Sequence, residues 1–487
     1  MSLHFDRHTD RRARITTLLT ASAVGIYLLV LAGVSNALAD AAGACPTWPA
    51  CGGRLTTAFG PRLGIVLAHR LTALLVGGLL LVTAVTVIRH DSRTRIRAAL
   101  GATLVLYPIE VWLGARTAVT GAPTAVASLH LVVAMGIFSA LMAALVWHLD
   151  ADVGPSARDA DSITATPDTA VPDAPDAVAA DASSEHVPGD REAGDGPDRG
   201  AVTRAKAYVR LTKPKLWWLL CLVALASMGL ATGGVPPAGL VVATLSGGVL
   251  AIGASGTFNN VIERDRDERM ARTDDRPVVT ETISPRRALL FGGALTLASV
   301  AVFVAFVNVL AAVLGLLAIG YYSVVYTLVL KPHTDQNTVL GGAVGALPAL
   351  IGWAAVTDSV GLPAVVLGGV VFLWTPAHFY NLALVYRDDY ERAGFPMLPV
   401  VRGERTARRH IAGYLGATLL AAVALGTAPT LGTVYAAVAV VLGTVFLRAV
   451  VRLHRECTDD AALRAFLASN AYLGALLVAV VVDTMVV

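Results

Sequence analysis

Long apolar segments, separated by short polar connections, make up most of the chain. Each is about 20 residues long, the length that an α-helix needs to cross a bilayer. Four precede residue 150, at residues 15–39, 62–88, 97–117 and 124–148. Nine follow residue 203, at residues 215–233, 237–260, 287–307, 310–330, 338–356, 361–384, 409–427, 430–450 and 465–486. The pattern predicts an all-α polytopic membrane protein, with an N-terminal transmembrane bundle of four helices and a C-terminal bundle of nine.

An acidic segment separates the two sets of apolar segments. Residues 150–200 hold 13 acidic and three basic side chains among Ala, Pro, Gly, Ser and Thr. Such a composition buries too little apolar surface to fold and is typical of a disordered linker. We therefore predict a four-span module at residues 1–149, a disordered acidic linker at 150–203 and a nine-span domain at 204–487.

The arginine distribution predicts the orientation in the cell membrane. The connections at residues 262–287 and 385–409 carry seven and six arginines, whereas the alternate connections of the nine-span domain carry none. Because basic connections stay in the cytoplasm, we expect a cytoplasmic N-terminus and linker and a C-terminus outside. The first apolar segment is too long for a signal peptide and is interpreted as a retained span.

Composition agrees with this class. The mean hydropathy is +0.65 and only 15% of the residues are charged, so we expect lipid, and no nucleic acid, as a partner. Cys45 and Cys51 lie close together in one polar connection. On a non-cytoplasmic loop such a pair can form a disulfide, and its spacing is not a zinc or thioredoxin pattern.

The end of one apolar segment carries an unusual density of charge. Asn259, Glu263 and Asp267 are spaced four residues apart, so a continuous helix would carry them on one face over roughly 12 Å. Their oxygens suit Mg²⁺, which binds carboxylates together with phosphate oxygens. Arg272 and Arg276 follow, and guanidinium groups match phosphate geometry. The first functional inference is a diphosphate bound at the membrane surface.

Two further polar clusters lie at the same predicted membrane face. One contains Lys331, and the other contains His378, Asp388 and Asp389. Orientation alone would explain the arginines, but Asp and Glu contribute little to it, and charges within a membrane are usually functional. We therefore expect the clusters to converge on one cytoplasmic site.

The residue types favour one kind of reaction. Facing carboxylates can hold Mg²⁺ ions that bridge a diphosphate, and metal and arginines neutralise the charge that develops on the leaving group. An allylic diphosphate ionises towards a stabilised carbocation, so no protein nucleophile is needed. The apolar surroundings accommodate an isoprenoid tail and exclude water.

At this point the second module becomes recognisable. Residues 204–487 resemble the UbiA-type intramembrane prenyltransferases and, within them, the protoheme IX farnesyltransferases (heme O synthases). Asn259, Glu263 and Asp267 match the superfamily's Asn-Asp-x-x-Asp-x-x-x-Asp motif, with Asn260 and Glu263 in place of its first two aspartates. The narrower resemblance rests on residues 326–337, 341–353 and 374–399.

The resemblance implies a nine-helix UbiA-type bundle and Mg²⁺-dependent farnesyl transfer from farnesyl diphosphate to the 2-vinyl group of heme B, which forms heme O. The implied metal ligands and catalytic groups are Asn259, Glu263, Asp267 and Asp389. The implied substrate-binding residues are Arg272, Arg276, Lys331 and Asp388. His378 is expected to face the porphyrin or the reacting vinyl group.

Two segments of the first module each carry one histidine at matched depth. His69 lies eight residues after Pro61, and His130 lies seven after Pro123. Facing imidazoles in a four-helix bundle suit axial ligation of heme iron, whereas hydrogen bonds to helix backbones would explain the same two histidines without a ligand.

Residues 15–149 resemble one four-helix half of heme A synthase, through the Cys-Pro-x-Trp-Pro-x-Cys loop at residues 45–51, His69-Arg70 and His130-Leu131. The resemblance implies heme ligation by His69 and His130. The glutamate that the pattern places three residues before the His-Arg pair is Val66 here, and the second half is missing. We therefore expect a module that holds or hands over heme, with Glu110 as a lone intramembrane carboxylate.

Two other functions fit parts of the pattern. A prenyltransferase acting on a quinone precursor or a lipid glycerol would use the same carboxylates. A non-catalytic heme carrier, or an assembly factor for a terminal oxidase, would explain the first module but leave both carboxylate clusters idle. The expected partners are heme B, farnesyl diphosphate and membrane lipid, with heme A synthase or a terminal oxidase as protein partners.

Overall fold

A computed structural model of the chain describes residues 2–38, 45, 47–49, 51, 61–91, 93–120, 124–150 and 197–486. Within these ranges every regular element is a helix. By length and composition, 13 of the helices can cross a membrane. The predicted polytopic all-α class and the predicted number of spans are therefore confirmed.

Four long helices precede the predicted linker. They are α1 (Ser2–Leu38), α2 (Pro61–His90), α3 (Thr94–Thr120) and α4 (Thr124–Asp150). Ser22 Oγ and Thr83 Oγ1 lie 2.9 Å apart and join α1 to α2. The rings of Tyr27 and Phe138, whose centroids are 5.7 Å apart, join α1 to α4. Most of the predicted linker, residues 151–196, lies outside the described residues.

The remaining helices are α5 (Pro197–Leu211), a 3₁₀-helix (Pro214–Leu216), α6 (Trp217–Thr232), α7 (Ala238–Ile262), α8 (Arg264–Asp267), α9 (Pro285–Phe306), α10 (Val309–Gly320), a π-helix (Tyr321–Leu330), α11 (Lys331–His333), α12 (Asn337–Thr357), α13 (Leu362–Val385), α14 (Arg387–Arg392), α15 (Leu398–Gly426), α16 (Thr433–Glu456) and α17 (Asp459–Val486). Residues 197–203, predicted as the end of the linker, are helical. This correction has a physical reason, because α5 buries Ala207 and Leu211 in an apolar cluster with Val278 and Ile283.

The chain forms two compact units. Unit one combines residues 1–154 with 408–479, and unit two combines residues 155–407 with 480–487. Within α15, Gly403 interrupts the helical geometry with φ 79° and ψ 159°, a conformation open to glycine because it lacks Cβ. The grouping does not confirm the division into a four-helix and a nine-helix bundle, which stays a prediction.

Small residues allow close helix packing in unit two. A Cβ atom added to Gly352 of α12 would lie 2.2 Å from the carbonyl oxygen of Ala224 in α6. Close by, Ser227 Oγ donates to the carbonyl oxygen of Ala349 at 2.5 Å. Such residues let membrane helices approach closely and add interhelical hydrogen bonds. The contact between α6 and α12 therefore depends on glycine at position 352.

Replacing Gly352 with alanine is expected to destabilise the protein by about 1–3 kcal/mol, because the new methyl group overlaps backbone. The matched control is Gly369→Ala in α13, where a Cβ atom would meet nothing within 4 Å and alanine favours the helix. Thermal unfolding in detergent measures both variants. Equal midpoints for the two would contradict the close approach.

Candidate active site

The segment from Asn259 to Asp267 lies at the end of α7. That helix ends at Ile262, Glu263 has φ −89° and ψ 0°, and α8 ends at Asp267. The predicted continuous helix is therefore wrong at Glu263, whose backbone lies in the bridge region where many active-site residues occur. All three side chains are buried, with 1%, 4% and 0% exposure for Asn259, Glu263 and Asp267.

Each of these three buried side chains contacts a cation. Lys331 Nζ donates to Glu263 Oε1 at 2.6 Å, and Arg276 Nη1 donates to Asp267 Oδ2 at 2.5 Å. The ammonium group of Lys213 donates to the amide oxygen of the asparagine. Burying a carboxylate without such a partner would be strongly destabilising. The result is a buried network of three cations and two carboxylates.

Two factors determine the pKa values in the network, namely burial and the excess of three cations over two carboxylates. Burial, reinforced by Arg276, lowers the pKa of Lys213 to about 7. Burial opposes ionisation of Glu263, but the charges of Lys331 and Lys213 outweigh it and lower its pKa. Burial raises the pKa of Asp267 despite the attraction of Arg276. The network favours an additional anion.

The π-helix positions the second cluster. Its Thr327 hydroxyl accepts a hydrogen bond from Asn259 Nδ2 at 3.1 Å and donates to the carbonyl oxygen of Tyr322 at 2.8 Å. Lys331 follows directly, and its Nζ lies 4.3 Å from the ring centroid of Phe395 in the third cluster. π-Helical geometry is rare and often occurs at functional sites. Here it brings Thr327 and Lys331 to the end of α7.

The third cluster contributes one buried aspartate. Asp389 is 7% exposed and pairs with Arg392, whereas Asp388 is exposed. Tyr390 and Phe395 share an apolar core with Met270, which follows the first cluster in sequence. The three predicted clusters thus meet in one region of unit two. The role of Asp388 stays a prediction, and nothing in the geometry turns it towards the buried network.

Arg272 is held differently from Arg276. Its guanidinium carbon lies 4.8 Å from the ring centroid of Tyr386 and 5.7 Å from that of Tyr390. Nη2 donates to the hydroxyl of Tyr390 at 3.2 Å, and Nε has no partner among the described residues. Arg272 therefore keeps donor capacity for an anion, and Arg276 uses Nη1, one of its five N–H donors, on Asp267.

His378 lies on α13 and stacks on Trp374. The ring centroids are 4.2 Å apart and the planes differ by 14°, as expected for side chains one helical turn apart. This contact orients the imidazole. Its proposed contact with an acceptor stays a prediction.

Lys213 is the residue that the sequence analysis missed. It has φ 52°, in the left-handed region, which is uncommon for a residue other than glycine. A signal was present, because the chain has only four lysines, at positions 206, 213, 215 and 331. Two of the four lie in the buried network.

A largely apolar pocket, partly open to its surroundings, lies beside this network. Lys213 and Tyr322 line its polar end, and Leu220, Ile252 and Ile351 are among its apolar walls. The lining is apolar apart from Lys213, Tyr322, Thr244 and Ser255, so it suits a hydrocarbon group beside the lysine. The cavity and the ionic network together form an amphiphilic site.

One carboxylate oxygen of the network fits a metal ion. Asp267 Oδ1 is buried and has no hydrogen-bond partner within the described ranges, and such atoms require an explanation. In the same part of the chain, no three His, Cys, Asp or Glu side chains form a complete metal site. Mg²⁺ often needs only one or two carboxylates, because phosphate oxygens and waters complete its shell. Asp267 and Glu263 thus suit a Mg²⁺–diphosphate pair.

Unit one contains the histidine pair. His69 lies on α2 and His130 on α4. Cys45 and Cys51 form a disulfide. Arg70 Nη1 donates to the carbonyl oxygens of Thr47 at 3.1 Å and Pro49 at 2.9 Å. Arg70 therefore anchors the disulfide loop above the histidines.

Comparison with known proteins identifies the family. Residues 220–473 match the model of the UbiA prenyltransferase family. A protein of Haloarcula marismortui described as "Protoheme IX farnesyltransferase" is 54% identical over 474 residues, which cover 96% of this chain and 98% of that relative. The chain belongs to the UbiA prenyltransferase family. A second relative with the same description, from Halobacterium salinarum, is 52% identical over 479 residues, 97% of this chain and 98% of the relative.

Two further comparisons concern the first module and a solved structure of a UbiA homolog. Residues 3–142 match the COX15-CtaA family, described as "Cytochrome oxidase assembly protein", which confirms the predicted resemblance of the first module. A solved structure of a UbiA homolog from Archaeoglobus fulgidus bound to DMAPP and Mg²⁺ is 19% identical, with a TM-score of 0.44. It aligns over 56% of this chain and 99% of its own.

Replacing Arg272 with lysine is expected to raise the KM for a prenyl diphosphate about 10- to 100-fold, the effect of losing one or two charged hydrogen bonds. Lysine has no planar guanidinium to stack on the two tyrosines. The matched control is Arg269→Lys, because Arg269 is exposed. Steady-state kinetics in detergent measure the effect. An unchanged KM in the Arg272 variant would contradict the assignment.

Proposed function

We propose that this UbiA-family protein transfers a farnesyl group from farnesyl diphosphate to the 2-vinyl group of heme B and forms heme O. The observation that carries the proposal is the buried network of Lys213, Lys331, Arg276, Glu263 and Asp267 at the polar end of an apolar cavity. The full-length relatives described as protoheme IX farnesyltransferases support the choice of donor and acceptor.

The reaction needs charge stabilisation more than a nucleophile. The bond between farnesyl C1 and the diphosphate oxygen breaks, and diphosphate leaves with the electron pair. The terminal vinyl carbon of heme B bonds to C1. Water then adds to the remaining carbocation and loses a proton, which gives the hydroxyethylfarnesyl group. Arg272, Lys331 and Lys213 would bind the diphosphate oxygens and stabilise the charge that develops there.

Mg²⁺ is the proposed cofactor of this step. Asn259, Glu263, Asp267 and Asp389 would hold it, and it would neutralise charge on the leaving diphosphate. The free Oδ1 of Asp267 supports this role. The apolar cavity would hold the farnesyl tail and keep water from the early carbocation.

The orientation of the site is part of the proposal. The arginine-rich connections at residues 262–287 and 385–409 support a site on the cytoplasmic side, a cytoplasmic N-terminus and a C-terminus outside. The first module would bind heme through His69 and His130 and deliver it to, or receive it from, heme A synthase or a terminal oxidase. The similarity of residues 3–142 to cytochrome oxidase assembly proteins supports that partnership.

Replacing Asp267 with asparagine is expected to lower heme O formation by about 100-fold or more, comparable with the loss of a major transition-state contact. Asparagine keeps the shape but offers a weaker metal ligand. The membrane-embedded protein receives heme B, farnesyl diphosphate and Mg²⁺, and mass spectrometry detects heme O. Asp265→Asn is the matched control, because Asp265 is exposed. Full activity of the Asp267 variant, or activity after chelation of Mg²⁺, would contradict the metal assignment.

The same assay identifies which acceptor receives the prenyl group. A quinone precursor or a lipid glycerol offered together with heme B competes for the prenyl group. Prenylated quinone or lipid as the main product would overturn heme B as acceptor while leaving the prenyltransferase chemistry intact. Bound heme without diphosphate turnover would favour a heme carrier.

His69→Ala and His130→Ala are each expected to change or remove the heme absorbance bands of the first module, because each variant deletes a side chain that would bind the iron. Absorbance of the purified, heme-saturated protein measures the effect. His90→Ala is the control, because His90 is exposed at the opposite end of α2. An unchanged spectrum in both ligand variants would refute the proposed heme site.

A further inference from the structure

Several buried polar atoms have no partner at one end of the first four helices. This end is where α1 and α3 finish and α2 and α4 begin. Asn36 Oδ1, His69 Nδ1, Glu110 Oε2 and His130 Nδ1 are buried there without a hydrogen bond to any described residue. An unsatisfied buried group costs roughly 1–3 kcal/mol. Four such atoms on four neighbouring helices point to a ligand with polar groups of its own.

Glu110 is the least expected of these residues. It lies on α3, is 7% exposed and carries a carboxylate within an apolar span, where such a group is costly and usually functional. Its Oε1 lies 2.8 Å from His130 Nδ1 on α4. The contact therefore engages one ring nitrogen of a residue that we propose as a heme ligand.

Glycines leave space for both imidazole rings. A Cβ atom on Gly114, one turn after Glu110, would lie 3.2 Å from His130 Cε1 and 3.4 Å from its Nε2. A Cβ atom on Gly33 of α1 would lie 3.3 Å from His69 Cε1. Both rings thus lie against bare helix backbone. The His130 side chain is still 27% exposed, so a ligand can reach it.

The contact with Glu110 determines which nitrogen of His130 can bind a metal. A neutral imidazole has one N–H donor and one nitrogen with a free lone pair. The negative charge of a carboxylate 2.8 Å from Nδ1 favours the proton on Nδ1, which leaves the lone pair on Nε2. Metal-binding histidines almost always have such a partner on their second nitrogen, and it raises the basicity of the ligand.

We propose that Glu110 is a positioning residue for His130, which it holds with Nε2 available as an axial ligand to heme iron. The inference rests on the proposed heme binding by the first module. It assigns a carboxylate from α3 to the histidine pair, whereas the heme A synthase pattern places one on α2, at the position of the buried Val66.

The test uses the full-length protein saturated with heme. In Glu110→Gln the shape is kept and the negative charge is lost, so the heme is expected to stay bound with a raised reduction potential, because a less basic ligand stabilises ferric iron less. In Glu110→Ala the heme affinity is expected to fall about 10- to 100-fold. Redox titration and heme titration, both followed by absorbance, measure the two effects.

Asp91→Asn is the matched control. Asp91 is a second buried carboxylate beside a histidine, with Oδ2 3.4 Å from His148 Nδ1 at the other end of the same helices. It is expected to leave the potential and heme affinity unchanged. Thermal unfolding in detergent reports that each variant is folded.

The outcomes separate the two proposals. Wild-type protein that binds no heme at His69 and His130 would refute the heme site itself. Wild-type protein that binds heme, together with Glu110 variants of unchanged potential and affinity, would overturn only the role of Glu110. A Glu110→Ala variant that does not fold leaves Glu110→Gln, whose potential decides alone.

Discussion

The burial of charge beside the bilayer is the constraint on which unit two depends. A carboxylate removed from water needs a cation and further hydrogen bonds, because desolvation otherwise exceeds the electrostatic gain. Glu263 and Asp267 meet this condition through Lys331 and Arg276. The partners come from different segments, so the pairing joins the end of α7, the end of the π-helix and the loop after α8. The same pairing leaves positive charge in excess, which a diphosphate can use.

Both units bury carboxylates, but the side chains that stabilise those carboxylates differ between the units. Unit two buries carboxylates against ammonium and guanidinium groups beside an apolar cavity. Unit one buries Glu110 against the imidazole of His130, beside small residues that admit the ring. In each case a buried atom lacks a hydrogen-bond partner within the part of the chain that the structure describes, Asp267 Oδ1 in one and Glu110 Oε2 in the other. Such atoms identify sites that a ligand completes, and a chain with both suits chemistry on a porphyrin and an isoprenoid in one membrane.

The sequence by itself determined the class of the protein and most of the chemistry. Runs of about 20 apolar residues have few other structures available to them in a membrane, because a helix satisfies all of its backbone hydrogen bonds internally. Thirteen membrane spans could therefore be predicted from the apolar segments of the sequence. Glu263 and Asp267, together with Asn259 four residues earlier, could be predicted because burying carboxylates at the end of a span costs free energy and usually serves a function. The family resemblance could be found because its motifs are local in sequence.

Only the tertiary structure decided which side chains contact one another. Side chains far apart in the chain decide four features that were not predicted. These are the break at Glu263, the role of Lys213, the exposure of Asp388 and the contact of Glu110 with His130. Hydropathy cannot show them, because the neighbours of a residue on another helix leave no periodic signal. The grouping of residues 408–479 with the first helices has the same origin. Apolar segments predict that helices cross the membrane, whereas side-chain shape and charge decide which helices pack together.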